Sequence, residues 1–221
     1  MTALGLTLLV ALRVSDGAVE EPRPPVVDGG PVSPDAGRPR PRTLVLRSNP
    51  DGPCAANNVV SPAEGEDGHR AAVRLTPPGY PFTVTAVRYT LAHTGKCSAQ
   101  LAHRAEVYAG TGPAPPAAPT PHAAFTVAAA GERDATARLI SLKLPVPLTL
   151  ARGEHLFVAI ELKRPATGPM SCVALCRLPA TDDRDFWSNA PAAPYSWQTL
   201  TSFGIPQSLA VEADGHLDPP D

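Results

Sequence analysis

The chain has 221 residues, 28 of them proline, and 19 Lys and Arg balance 21 Asp and Glu to a formal net charge of -2. Its only concentration of basic residues, Arg38, Arg40 and Arg42 in "RPRPR", is too small to make a positive face, so nucleic-acid binding is excluded. Aromatic residues are scarce, at 5%, so any stretch that gathers them stands out.

Residues 1–18 contain an apolar run from Ala3 to Leu12, too short for a membrane span and long enough for the core of a signal peptide. No Lys or Arg precedes the run, and Ser15-Asp16-Gly17 is a weak cleavage site, so the expectation of export to the periplasm or beyond leans equally on the cysteines. Residues 19–42, "VEEPRPPVVDGGPVSPDAGRPRPR", are rich in proline and charge, hold few large apolar side chains, and read as a disordered linker. Residues 43–215 are expected to form a single β-sandwich domain, with 216–221 a short tail.

From Thr43 onward the apolar residues alternate with a period of two and not the roughly 3.6 of a helix. "TLVLRS" (43–48), "RAAVRLT" (70–76), "VRYTL" (87–91), "AEVYAG" (105–110), "ARLISLKL" (137–144), "EHLFVAIEL" (154–162) and "QSLAVEA" (207–213) read as strands, with weaker candidates at 57–61, 123–128, 170–175 and 195–200. In "EHLFVAIEL" the set Leu156, Val158, Ile160 and Leu162 should face inward, as should Leu209, Val211 and Ala213 in "QSLAVEA". Parity breaks in "PFTVTAVRYTL": Phe82 and Val84 share one phase, Val87, Tyr89 and Leu91 the other, which calls for a bulge or corner near Ala86. The proline-rich "GTGPAPPAAPTPH" (110–122) should cross the surface between two strands. Many short strands with Gly/Pro turns between them define an all-β antiparallel sandwich, of jelly-roll type or, as the alternative, immunoglobulin-like.

The strings "AAVRLTPPGYPFTVTAVRYTL", "HRAEVYAGTGPAPPAAP", "VPLTLARGEHLFVAIEL" and "PYSWQTLTSFGIPQSLAVEADG" resemble the accessory jelly-roll domains of secreted bacterial proteins. The likeness covers residues 70–215 and implies fold and export, with no activity attached. It also implies that Trp197, in the Ser-Trp pair before the last strand, is a core residue.

Cys54, Cys97, Cys172 and Cys176 form an even set in an exported chain and imply two disulfides. The pairing preferred from sequence is Cys54 with Cys97 and Cys172 with Cys176. The second of these needs a turn at "SCVALC", because an extended strand would hold its two Cα atoms about 13 Å apart. A single close pair without a second knuckle argues against zinc.

No G-x-S-x-G elbow, P-loop, H-E-x-x-H or dinucleotide fingerprint occurs in the sequence, and its six histidines are scattered singly. The chain is therefore read as non-enzymatic. Two constellations remain. Asp51, Glu64, Glu66 and Asp67 supply oxygens on irregular backbone of the kind calcium takes, the one cofactor contemplated. Trp187, Asn189, Asp185 and Tyr195, in "DFWSNAPAAPYSWQTLTSF", supply the flat rings and polar partners of a glycan-stacking platform. The expected function is binding or display at the cell surface or in the periplasm, as a monomer with no membrane span, toward a glycan or a surface protein. A purely structural or protein-interaction domain is the alternative, and a hydrolase ranks below both.

Overall fold

The computed structural model describes residues 41–49, 54, 58–131, 135–179 and 183–218. Among them thirteen strands form two sheets. In chain order they are β1 (Arg42–Arg47), β2 (Val59–Val60), β3 (Arg70–Leu75), β4 (Phe82–Ala92), β5 (His103–Gly110), β6 (Ala123–Val127), β7 (Ala137–Leu150), β8 (His155–Glu161), β9 (Val173–Pro179), β10 (Asp185–Ser188), β11 (Trp197–Thr199), β12 (Gln207–Leu209) and β13 (Val211–Leu217). A 3-10 turn, Leu200–Phe203, follows β11. No helix among the described residues is long and apolar enough to cross a membrane.

One sheet has seven strands, running β1-β13-β4-β9-β12 with β7 on β4 and β2 on β9; the other runs β11-β10-β3-β8-β5-β6. Eight of the strands carry the topology. Taken along the chain as β1, β3, β4, β5, β6, β7, β8 and β13, the first pairs with the last, β3 with β8, β4 with β7 and β5 with β6, all antiparallel. That is the pairing of one long hairpin wound into two sheets, which is a jelly roll. The immunoglobulin-like alternative, which separates its first and last strands into different sheets, is set aside. The remaining strands thicken the edges: β10 and β11 extend the six-stranded sheet beyond β3, and β9 wedges against the end of β4, where Leu91 meets Val173.

The alternation read from sequence sorts the side chains as expected. Leu156, Val158, Ile160 and Leu162 from the β8 stretch, with Leu209, Val211 and Ala213, lie in one continuous core between the sheets. Phe82, Val84, Val87, Tyr89 and Leu91 all join it, because the register slips between Val84 and Ala86 against β7 and between Asp214 and Gly215 against β4. The bulge thus lets both phases of one strand face the same core. Gly215 is required at this corner: a Cβ there would lie 2.4 Å from the Thr83 carbonyl oxygen and 2.6 Å from the Phe82 ring.

The two disulfides correct the pairing preferred from sequence. Cys54 bonds Cys176 and Cys97 bonds Cys172, with Cα separations of 4.0 and 5.5 Å. Cys172 and Cys176 do not sit on a turn: Cys172 immediately precedes β9 and Cys176 lies in its middle, so the extended backbone keeps them apart and they pin the start and the middle of one strand to different parts of the chain.

Candidate functional site

Strand β10 decides what becomes of the aromatic stretch. It pairs with β3 on one side and β11 on the other, so the alternate residues of "DFWS" point to opposite faces. Trp187 points into the core, is 5% exposed, and meets the His69 ring edge-on at 6.1 Å between centroids. Asp185 points the same way, is buried, and accepts the Leu209 N–H at 2.9 Å. Tyr195 lies on the outer face of the six-stranded sheet, 8% exposed, over the Arg70 guanidinium at 4.8 Å. Burial pushes its phenol up and the neighbouring Arg70 draws it back down. Asn189 alone of the four expected platform residues is exposed.

The flat stacking platform expected from Trp187, Asp185, Asn189 and Tyr195 therefore does not form: three of its members are buried and they serve opposite faces of a sheet. The two tryptophans also exchange roles. Trp197, expected in the core, is half-buried against the outer-face cluster of Ala72, Tyr108, Phe157, Ala159 and Phe186, and donates its indole N–H to the Pro116 carbonyl at 3.1 Å.

What the structure does bring together is smaller and lies at one end of the sandwich. A hollow of about 140 Å³ is bounded by the buried edge of Trp187, Leu200 and Ile205 below, and by Phe203, Asn189 and Glu66 at its rim. Phe203 is 45% exposed, one of the few large apolar side chains in solvent among the described residues. It ends the 3-10 turn, which Gly204 closes in a left-handed conformation at φ 74°, the geometry for which glycine carries no steric cost. The Glu66 carboxylate accepts the Ala63 N–H at 2.7 Å and lies 3.6 Å from His69 Nδ1. A ring, a carboxamide and a carboxylate thus surround an apolar floor. Trp187, Asn189 and Glu66 had been singled out in the sequence. Phe203, Leu200 and Ile205 are not among the expected site residues; the sequence signal for Phe203 is its place at the end of the aromatic-rich stretch 185–203.

Of the acidic residues considered for calcium, Glu64, Glu66 and Asp67 are not gathered into one site. The Asp67 carboxylate accepts the Arg164 N–H at 2.6 Å and, with Glu64, lines a wider, open hollow of about 590 Å³ on the other side of the same turn. Glu66 faces the smaller hollow, and Asp51 lies outside the described residues. Among the described residues no three His, Cys, Asp or Glu side chains are grouped as a metal would need.

A jelly-roll sandwich with a small mixed apolar and polar hollow at one end is the class that fold and site define. No protein-family model matches the chain, and no curated protein matches it. Among solved structures it is similar to the clostridial cysteine protease Cwp84 after propeptide cleavage, at 12% identity and a TM-score of 0.53 over 80% of this chain. It is also similar to a structure of the cysteine protease and lectin-like domains of Cwp84, a surface layer associated protein of Clostridium difficile, at 14% identity and a TM-score of 0.46 over 68% of this chain. The chain spans 40% of the length of the first structure and 32% of the second, and the first likeness speaks for the fold alone.

Proposed function

We propose that the chain is an exported, non-enzymatic binding module, displayed at the cell surface or in the periplasm and acting as a monomer, that takes a terminal sugar ring of a glycan. The observation that carries this reading is the Phe203 hollow. Its volume of about 140 Å³ is well below the roughly 300–1,000 Å³ of pockets that enclose drug-sized ligands. It suits one ring or one side chain and not an extended polymer. An exposed phenyl face beside a carboxamide and a carboxylate supplies both halves of sugar recognition, apolar contact for C–H groups and hydrogen bonds for hydroxyls. Export is supported by the apolar run of Ala3–Leu12 and by the two disulfides. Binding without catalysis is supported by Glu66, whose carboxylate is engaged in holding its own turn.

Binding of the purified chain to an immobilised glycan panel tests the proposal. At least one glycan should bind, and Phe203→Ala should weaken it about tenfold, roughly 1.4 kcal/mol, with no change in melting temperature. Equal binding by Phe203→Ala would contradict the site. A panel without any bound glycan would favour the second reading, a structural or protein-interaction domain, which the burial of Trp187 and Tyr195 supports.

A further inference from the structure

The outer face of the six-stranded sheet holds a second constellation that the hollow does not use. Arg70 on β3 is 4% exposed and pairs with the buried Glu106 on β5 at 2.8 Å. Removing two charges from water costs several kcal/mol per ion, which mutual attraction offsets only when the remaining donors are also satisfied. They are not. Arg70 Nε has no hydrogen-bond partner, and neither has the hydroxyl of Tyr108, 2% exposed and within electrostatic reach of Arg70, Glu106 and Tyr195. Around these groups Ala72 and Ala159 give a low floor between the Tyr108 and Phe157 rings on one side and Phe186 on the other.

A strap, residues 189–196, covers this face. The N–H groups of Ala190 and Ser196 both hang from Ser188 Oγ at 3.2 Å. Tyr195 donates its N–H to Ala117 O at 2.6 Å, and the indole of Trp197, just beyond the strap, donates to Pro116 O. These latter ties run to the proline-rich loop opposite and not to the sheet beneath.

We propose that the strap covers a second binding site that holds an acidic sugar, with its carboxylate on Arg70, in the place the Tyr195 ring now takes over that guanidinium, and its ring against Trp197. The charge balance selects an anion. Arg70, Arg104 and Lys163 face Glu106 and Glu161, three cations against two carboxylates. Glu106 serves both arginines, at 2.8 Å from Arg70 and 3.8 Å from Arg104, while Lys163 is matched by Glu161 at 2.6 Å. One further carboxylate completes the set, and a guanidinium with an unused Nε–H has the fork geometry to take it. The rings favour a sugar over a bare carboxylate: Tyr195 packs on Arg70, and Trp197, 5.4 Å from it between centroids and half-buried, is the ring left for the sugar.

Isothermal titration with D-glucuronate, D-glucose and acetate tests the proposal. Glucuronate should bind at least tenfold tighter than glucose, which lacks the carboxylate, and than acetate, which lacks the ring, and should shift tryptophan emission. Arg70→Gln should abolish the binding and Arg104→Gln weaken it. Glu106→Gln, which removes the internal competitor, should tighten it several-fold, a gain that structural damage does not produce. Phe203→Ala should leave it unchanged, which separates this site from the hollow. Equal affinity for glucuronate and glucose, no binding of glucuronate, or a Glu106→Gln variant that binds no tighter overturns the proposal. If Arg70→Gln fails to fold, the Arg104→Gln and Glu106→Gln comparisons still decide it.

Discussion

His103 shows how much one buried side chain can set the response of the molecule to pH. Its Nε2 meets the Tyr89 hydroxyl at 2.6 Å and its Nδ1 the Leu101 carbonyl at 2.9 Å, so the ring is satisfied as a neutral imidazole that accepts from Tyr89 and donates to Leu101. Burial lowers its pKa below the ordinary histidine value, against a smaller upward pull from the Leu101 hydrogen bond. The sign follows from linkage: the unfolded chain takes the proton first as pH falls. The stability held by the neutral ring is complete above about pH 6.5 and drains away as pH falls through the lowered folded value. His155, also lowered by burial, acts in the same direction. Urea melts at pH 7.5 and 5.5 should show a loss of stability in the wild type that shrinks in His103→Gln. Tyr89→Phe, which leaves Nε2 without its donor, should cost about 1–3 kcal/mol at neutral pH. An unchanged pH dependence in His103→Gln would remove this residue from the account.

Among the elements, β4 was the most legible in the sequence and β10 the least. The parity switch between Val84 and Val87 announced the bulge because both halves of the strand carry large apolar residues, so the phase of each could be read. The corner then rests on Gly215. Gly215→Ala should lower stability by more than the usual glycine-to-alanine effect, since the contact of 2.4 Å is with backbone that cannot step aside. A thermal melt that rises or does not move would show that the corner relaxes freely. Strand β7 runs on to Leu150, beyond the "ARLISLKL" (137–144) read from sequence, through Pro145 and Pro147, which are tolerated because the strand is an edge paired only with β4. Strand β10 has only four residues and offers too short a run to show a period. Missing it reversed the tryptophans: once Trp187 has a strand of its own it is the inward residue, and Trp197 falls to the outer face. Phe203 was hidden for a different reason, since its hollow is assembled from three separate parts of the chain, around residues 60–66, 187–189 and 200–205.

For the whole molecule, the hairpin wound into two sheets was legible as a class from alternation and turn spacing, whereas the disulfide pairing was not. Pairing depends on where β9 lies, and only the assembled fold places the start of that strand beside Cys97 and its middle beside Cys54. The bonds close sequence separations of 75 and 122 residues, which in the chain-entropy view contribute on the order of 4–5 kcal/mol each. Intact mass should fall by the four hydrogens of two disulfides, and reductant should lower the melting temperature sharply; four free thiols after periplasmic expression would contradict both the pairing and the argument for export. The central functional claim is that a ligand enters at the rim of the sandwich, where Phe203 and Asn189 meet the covered edge of Trp187. Chemical-shift mapping of the labelled chain with a glycan selected from the panel tests this most directly. The account predicts perturbations concentrated at Glu66, Trp187, Asn189 and Phe203, lost in Phe203→Ala; perturbations that avoid these four residues while the glycan is bound would contradict it.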